Sequence, residues 1–251
     1  MEYDIVIWRT QISLDTPPSL FDRGPMTMYS STAESPADKR RLAQRDALLD
    51  AASEMLVHGG PDAISLRKLA ARIGTSTMAV YTAFGGKDGL IAALFTEAFN
   101  RLAAAEAAAP KHDEPLLWLG ELARAYRGFA LKNPSYYALM ISATLPIPDS
   151  LRHKETEQPA ARGVTQHASY QIMRKAVEAC ITDGSFPPGR DPDELAGALW
   201  SVVHGHCSLE LAGFHENAEA AEKRFYLTTG AIMRGLLTPK GLEKFESFIR
   251  R

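Results

Sequence analysis

One short segment of the chain, residues 76–82, carries side chains suited to contact a nucleic acid. Ser76, Thr77 and Thr82 are small and hydroxylated, and Tyr81 adds a phenol within the same seven residues. Small side chains let a backbone approach a duplex closely, and hydroxyl groups donate hydrogen bonds to phosphate oxygens. These residue types are suited to contact the phosphates and a groove of a nucleic acid, provided that one helix presents the four side chains together.

The flanking sequence predicts two short helices joined by a tight turn. Ser65 can cap a first helix whose apolar residues recur at helical spacing up to Ile73. Gly74 permits the positive φ of a sharp helix end, and Thr75 or Ser76 can cap a second helix. This pattern is typical of a helix-turn-helix, whose second helix fits the major groove of DNA. The spacing alone leaves open a helical hairpin that only packs.

The distribution of charge favours the nucleic-acid interpretation. Residues 39–87 contain eight Lys or Arg and four Asp or Glu, a balance of +4, whereas the whole chain has a formal net charge of −2. The remainder therefore carries −6. A basic segment on an acidic body suits a protein that binds DNA through one face.

Residues 40–102 resemble the DNA-binding domain of the TetR/AcrR family of one-component transcriptional regulators. The resemblance rests on a long helix ending in HGGPDAIS and on the run LRKLAARIGTSTMAVYTAFGGKDGLIAAL. It implies an all-α homodimer with an N-terminal helix-turn-helix domain and a larger helical C-terminal domain that binds a small molecule. It also implies a long helix from Lys87 that connects the DNA-binding end with the ligand cavity.

The same resemblance implies which residues contact DNA. Base contact is expected from Arg67, Thr77 and Met78, with Ser76 and Ala79 adjacent, and phosphate contact from Ser65, Tyr81, Thr82 and Lys87. Many relatives carry a bulky residue, often His, where this chain has Ala83. The operator sequence therefore cannot be transferred from a relative.

The sequence divides into three predicted regions, and helical patterns continue through the last of them to the end of the chain. We expect residues 1–34 to be a disordered arm or a start-site artefact ahead of Met26 or Met28, 35–86 to form the helix-turn-helix domain, and 87–251 to form the ligand-binding and dimerisation domain. Residues 144–163 are expected to form a mobile polar connection. The last two long helices suit a four-helix bundle formed across a two-fold axis.

Aromatic residues in the C-terminal region are candidates for the wall of an apolar ligand cavity. Trp200, His204 and Gly205 resemble the Trp and His-Gly signature of one C-terminal domain class within the family. Ordinary core packing and a hydrogen-bonded buried histidine are the alternatives to this interpretation. The expected lining residues are Trp118, Tyr126, Tyr136, Tyr137, Met140, Trp200 and His204.

Several other classes of protein are disfavoured. Two cysteines are too few for a disulfide framework, which suggests the cytoplasm, and no apolar run is long enough to span a membrane. His204 and Cys207 lack the further ligand spacing of a metal site, and no phosphate-binding glycine loop or nucleophile elbow is present. No cofactor, metal or catalytic residue is expected.

The sequence therefore predicts a ligand-responsive DNA-binding regulator, a repressor that binds a palindromic double-stranded operator as a dimer and is released by a small hydrophobic effector. One alternative is a DNA-binding regulator whose C-terminal domain only dimerises. A helical metal-dependent enzyme is the other.

Overall fold

The computed structural model describes residues 35–141 and 167–249, and these residues form ten α-helices and no strand. The predicted N-terminal arm and the predicted mobile connection lie outside the described residues. A single 3-10 turn, Pro61–Ala63, follows the first helix. The helices are α1 (Pro36–Gly59), α2 (Leu66–Ile73), α3 (Thr77–Phe84), α4 (Lys87–Ala107), α5 (Pro115–Lys132), α6 (Pro134–Ile141), α7 (Ala168–Thr182), α8 (Pro192–Leu211), α9 (Ala218–Leu236) and α10 (Pro239–Ile249).

Serine side chains begin each of the first three helices. Ser35 Oγ accepts a hydrogen bond from the Asp38 backbone N–H at 3.1 Å. Ser65 caps α2 and Ser76 caps α3 in the same way. Such caps satisfy N–H groups that have no partner within the helix. The predicted helix starts are confirmed at all three positions.

The turn between α2 and α3 depends on Gly74. Its φ is 71° and its ψ is 32°, the left-handed conformation that glycine adopts without steric cost. The Gln44 side chain donates a hydrogen bond to Thr75 Oγ1 at 2.8 Å, which ties α1 to this turn. The spatial relation of α2 to α3 is thus fixed locally.

One continuous core joins the first three helices to the C-terminal body. Leu48 and Leu49 of α1 are buried in the same apolar cluster as Phe99 of α4 and Tyr137 of α6. A second cluster, centred on α5, α7 and α8, includes Val177, Phe186 and Leu195. Because α1 packs on both α4 and α6, the helix-turn-helix region cannot move independently of the body without exposing apolar surface.

The long helix α4 connects the two ends of the molecule. Its 21 residues correspond to a rod of about 31 Å. Its N-terminal end contacts α3 at Gly89, and the helix also packs on α5, α6 and α7. The predicted all-α fold with an N-terminal helix-turn-helix is confirmed.

Candidate nucleic-acid interface and ligand cavity

The outward face of α3 is uncovered in the monomer. Met78 is 73% exposed and Tyr81 is 51% exposed, whereas Val80 and Phe84 on the opposite face are buried. Ser76 and Thr82 are also exposed, and Thr77 and Ala79 are partly buried. The exposed methionine and tyrosine leave this face of α3 accessible to another molecule.

Several hydroxyl groups on this face have roles within the fold. Ser65 Oγ accepts from the Lys68 N–H at 3.4 Å and Ser76 Oγ accepts from the Ala79 N–H at 3.1 Å. Each serine therefore keeps its hydroxyl hydrogen for another acceptor. Thr82 Oγ1 instead donates to the Met78 carbonyl at 2.9 Å, so that it must rotate before it can donate to a phosphate.

Basic side chains surround the exposed face of α3. Arg67 and Lys68 are exposed on α2, and Lys87 is partly buried at the first position of α4. Arg45 of α1 lies over the Phe84 ring, with its guanidinium carbon 5.4 Å from the ring centre. The structure thus brings the nine residues predicted to contact DNA into one region formed by α2, α3 and the start of α4.

The contact between α3 and α4 requires a glycine. A Cβ atom on Gly89 would lie 1.8 Å from the Phe84 carbonyl oxygen, far inside a permitted contact. The end of α3 therefore rests directly on the backbone of α4. The end of α3 and the start of α4 are thus in direct backbone contact.

A cavity of about 220 Å³ lies in the body, lined by residues of α4, α5, α7, α8, α9 and α10. Its walls are mostly aliphatic and aromatic. Of the predicted ligand residues, Tyr126 and Trp200 line it, whereas Trp118, Tyr136, Tyr137, Met140 and His204 do not. The lining aromatic residues that the sequence interpretation omitted are Phe225, Tyr226, Phe245 and Phe248.

A hydrogen-bonded network lies behind the Tyr126 wall. Trp200 Nε1 donates to the Tyr126 hydroxyl at 3.1 Å, and that hydroxyl lies 2.8 Å from His204 Nδ1. Tyr137 donates to the His204 carbonyl at 2.8 Å and its hydroxyl is 3.0 Å from Ser208 Oγ. Burial lowers the pKa of His204, which keeps the imidazole neutral. The geometry is that of a partly buried histidine whose Nδ1 lies within hydrogen-bond distance of two tyrosine hydroxyls.

Tyr136, another predicted cavity residue, contacts the N-terminal region instead. Its hydroxyl donates to Asp50 Oδ1 of α1 at 2.8 Å, and Arg101 of α4 forms an ion pair with the same oxygen at 2.8 Å. The Arg101 guanidinium also lies 4.3 Å from the centre of the Tyr136 ring. Three helices therefore meet at Asp50.

Glu106 is a cavity residue that the sequence interpretation missed. It is 5% exposed, and its Oε2 has no hydrogen-bond partner among the described residues. Burial raises its pKa to about 8. The signal was present in the sequence, because Glu106 follows the buried Ala98 and Leu102 at successive intervals of four and so lies on the apolar stripe of α4.

A pair of histidines lies near the end of α8. His206 and His215 stack with ring centres 5.0 Å apart, and His206 Nε2 lies 3.4 Å from Glu210 Oε2. Within residues 35–141 and 167–249, no group of three or more His, Cys, Asp or Glu side chains is arranged to hold a metal ion. None of the helices in these ranges is long and apolar enough to cross a membrane.

Comparisons with known proteins agree with this geometry. Residues 48–94 match the family model described as bacterial regulatory proteins of the tetR family, and residues 119–232 match the model described as a tetracyclin repressor-like C-terminal domain. The second match spans Trp200, His204 and Gly205.

Individual relatives give the same result. The HTH-type transcriptional regulator Rv1816 of Mycobacterium tuberculosis is 29% identical over 198 residues, which cover 70% of this chain and 85% of the relative. The solved structure of a protein with unknown function from Rhodococcus sp. RHA1 is 26% identical, covers 84% of this chain and all of its own, and has a TM-score of 0.59. The structure of a SmeT–triclosan complex is 18% identical, covers 78% of this chain and 93% of its own, and has a TM-score of 0.52, a likeness of fold alone.

The match over residues 48–94 contains both helices of the helix-turn-helix, α2 and α3. The match over residues 119–232 extends from α5 to α9 in the cavity-bearing body. The curated relatives are named as transcriptional regulators. The chain belongs to the TetR family and is a helix-turn-helix DNA-binding transcriptional regulator.

Proposed function

We propose that the protein is a dimeric repressor that binds a partly palindromic operator and is released from it by a small hydrophobic effector. The observation that carries the proposal is the continuity of α4, which contacts α3 at Gly89 and reaches the cavity at Glu106. A ligand that alters the position of the α4 C-terminal end can shift α3 through this rod.

The DNA-contacting surface is assigned to α2, α3 and the first residue of α4. Arg67, Thr77 and Met78 read base edges, with Ser76 and Ala79 beside them. The exposure of Met78 and the adjacent positive charge of α2 support this assignment. Phosphate contacts are made by Ser65, Tyr81, Thr82 and Lys87, and the free hydroxyl hydrogen of Ser65 supports its role as a donor.

The proposed dimer surface is the outer face of α8 and α9. Leu209 is 50% exposed, Phe214 is 72% exposed and Leu227 is 58% exposed. Exposed large apolar side chains on α8, on α9 and in the loop between them favour burial against a second copy of the chain. A two-fold dimer presents two α3 helices, which is why the operator is expected to be partly palindromic.

The cavity is the proposed effector site, with Tyr126 and Trp200 in its wall. The SmeT structure contains triclosan, a small molecule, in a protein of the same fold. An effector changes operator affinity only by binding the DNA-competent and relaxed states with different affinity, and a tenfold preference supplies about 1.4 kcal/mol.

Selection of bound fragments from a random DNA pool is the experiment that tests operator recognition. We expect a motif with two inverted half-sites whose centres are about one helical turn apart or a multiple of it. A single unpaired half-site would contradict the dimeric arrangement.

The effector role is tested by screening small hydrophobic compounds for thermal stabilisation and for release of the selected operator. Compounds that do both support the proposal. A body that only dimerises would give operator binding that no stabilising compound reverses.

A further inference from the structure

We infer that the cavity takes a hydrophobic ligand that carries a cationic nitrogen, with the Glu106 carboxylate as the partner of that nitrogen. The inference rests on the proposed function, since it names the chemical class of the effector. Nothing in the comparisons assigns a ligand to this chain.

The first argument is the isolation of Glu106. Its side chain is almost completely buried, lines the cavity, and leaves Oε2 without a hydrogen-bond partner in the described parts of the chain. A carboxyl group in such a position opposes folding unless something compensates it. A ligand cation beside Oε2 would provide both a charge and a hydrogen-bond donor.

The second argument is the composition of the wall. Tyr126, Trp200, Phe225 and Tyr226 contribute aromatic rings to the same cavity. The face of an aromatic ring attracts a cation, and this attraction strengthens when water is excluded. Aromatic rings give no comparable advantage to a neutral hydroxyl or to an anion. The wall therefore favours a cation over a neutral hydrogen-bond donor at Glu106.

The positive charges at the cavity are already engaged elsewhere. Arg124 forms an ion pair with Glu121, and the Arg234 guanidinium lies over the Phe245 ring, 5.5 Å from its centre. Neither arginine perturbs the pKa of Glu106, whose shift has burial as its only cause. Within residues 35–141 and 167–249, the carboxyl group thus has no counter-charge from either arginine.

The titratable and charged groups facing Glu106 across the cavity come from two helices. They are Arg124 and Tyr126 of α5 and Tyr226 and Arg234 of α9, whereas the lining residues of α7, α8 and α10 are uncharged. Burial raises the pKa of Tyr126, so its hydroxyl stays neutral at physiological pH. Among the described residues that line the cavity, Glu106 is the group expected to lose a proton between pH 6 and pH 9 when a cation binds.

The test uses three probes of equal length and different charge: phenylbutylamine, phenylbutanol and phenylbutyrate. Quenching of tryptophan fluorescence and calorimetry measure their affinity for the full chain. At pH 8 we expect the amine to bind at least about tenfold more tightly than the alcohol, with the butyrate weakest. Below pH 8 the affinity of the amine should fall about tenfold per pH unit, because Glu106 must release its proton.

Calorimetry of the wild-type protein in buffers of different ionisation enthalpy gives a readout that needs no variant. At pH 7 we expect close to one proton to be released for each amine bound and none for each alcohol. Binding of the amine without proton release would overturn the inference.

The variant Glu106→Gln keeps the size of the side chain and removes its charge. It should bind amine and alcohol within about threefold of each other, and the pH dependence should disappear. Glu243→Gln, which neutralises an exposed carboxylate of α10, serves as the matched control and should behave as the wild type.

The inference fails if the alcohol or the butyrate binds as tightly as the amine, if none of the three binds, or if Glu106→Gln retains the preference. The proposed function fails separately, when no compound of a broad set releases the operator. A neutral compound that releases the operator from both wild type and Glu106→Gln would support the function and overturn the ligand class.

Discussion

The Tyr136 hydroxyl of α6 donates a hydrogen bond of 2.8 Å to Asp50 of α1, across the junction between the helix-turn-helix and the body. Arg101 of α4 pairs with the same carboxylate. The two contacts join the helix that supports α2 and α3 to α6 and to α4, and the C-terminal end of α4 lines the cavity. They provide a polar connection in addition to the shared apolar core.

Tyr136→Phe should weaken this connection while keeping the ring in place. We expect a loss of about 1 kcal/mol in the free energy of unfolding and a several-fold loss in operator affinity, because α1 is held less firmly against the body. Urea unfolding and fluorescence anisotropy with labelled operator measure the two effects.

Tyr170→Phe removes a comparable Tyr–Asp hydrogen bond of 3.0 Å within the body. It should lower stability alone, and an equal loss of operator affinity in both variants would argue against a specific role for Tyr136.

Arg67→Ala and Lys87→Ala should separate base reading from phosphate binding. Arg67→Ala should reduce the free energy of operator binding by about 1 to 3 kcal/mol and relax the sequence preference at one base position. Lys87→Ala should weaken binding to operator and to random DNA equally and should reduce the salt dependence of binding. Anisotropy titrations at several salt concentrations measure both. Lys111→Ala, an exposed cation far along the chain, is the control and should leave both affinities unchanged. Equal losses on operator and random DNA for Arg67→Ala would reject its role in base reading.

Gly89→Ala should damage the contact between α3 and α4. The added methyl group would meet the Phe84 carbonyl oxygen, so that the two helices must separate. We expect a destabilisation of about 2 kcal/mol or more and a marked loss of operator binding. Gly120→Ala on α5 has open space around its Cβ and should instead stabilise by about 0.5 to 1 kcal/mol. Thermal and urea unfolding compare the two; wild-type stability in Gly89→Ala would show that the contact is looser than the geometry indicates.

Glu106→Gln should stabilise the protein in a pH-dependent manner. The pKa of Glu106 is raised from 4.5 to about 8 by burial. Because the folded-state pKa is raised, the stability contribution of the protonated Glu106 is fully present below pH 4.5. This contribution to the free energy of unfolding is lost as the pH rises toward 8. The variant should therefore match the wild type near pH 4.5, exceed it increasingly up to pH 8, and keep a constant advantage above that. Urea unfolding across this range checks the trend, and a difference independent of pH would mean that Glu106 is solvated.

The local features of this protein were readable from its sequence. Ser35, Ser65 and Ser76 cap helices because a hydroxyl three residues before a free backbone N–H reaches it whatever the rest of the fold does. Gly74 ends α2 for an equally local reason. The all-helical fold followed from such signals and from the spacing of apolar residues.

The composition of the cavity depended on the tertiary structure. Tyr136, Tyr137 and His204 have the residue types of a ligand wall, yet their hydroxyl and ring nitrogen atoms find partners on other helices. Glu106 has the residue type of a solvated surface and is buried. The packing of helices that are distant in sequence decides which side chains line a cavity. Helical periodicity shows on which face of a helix a residue lies, but it does not show which other helices contact that face.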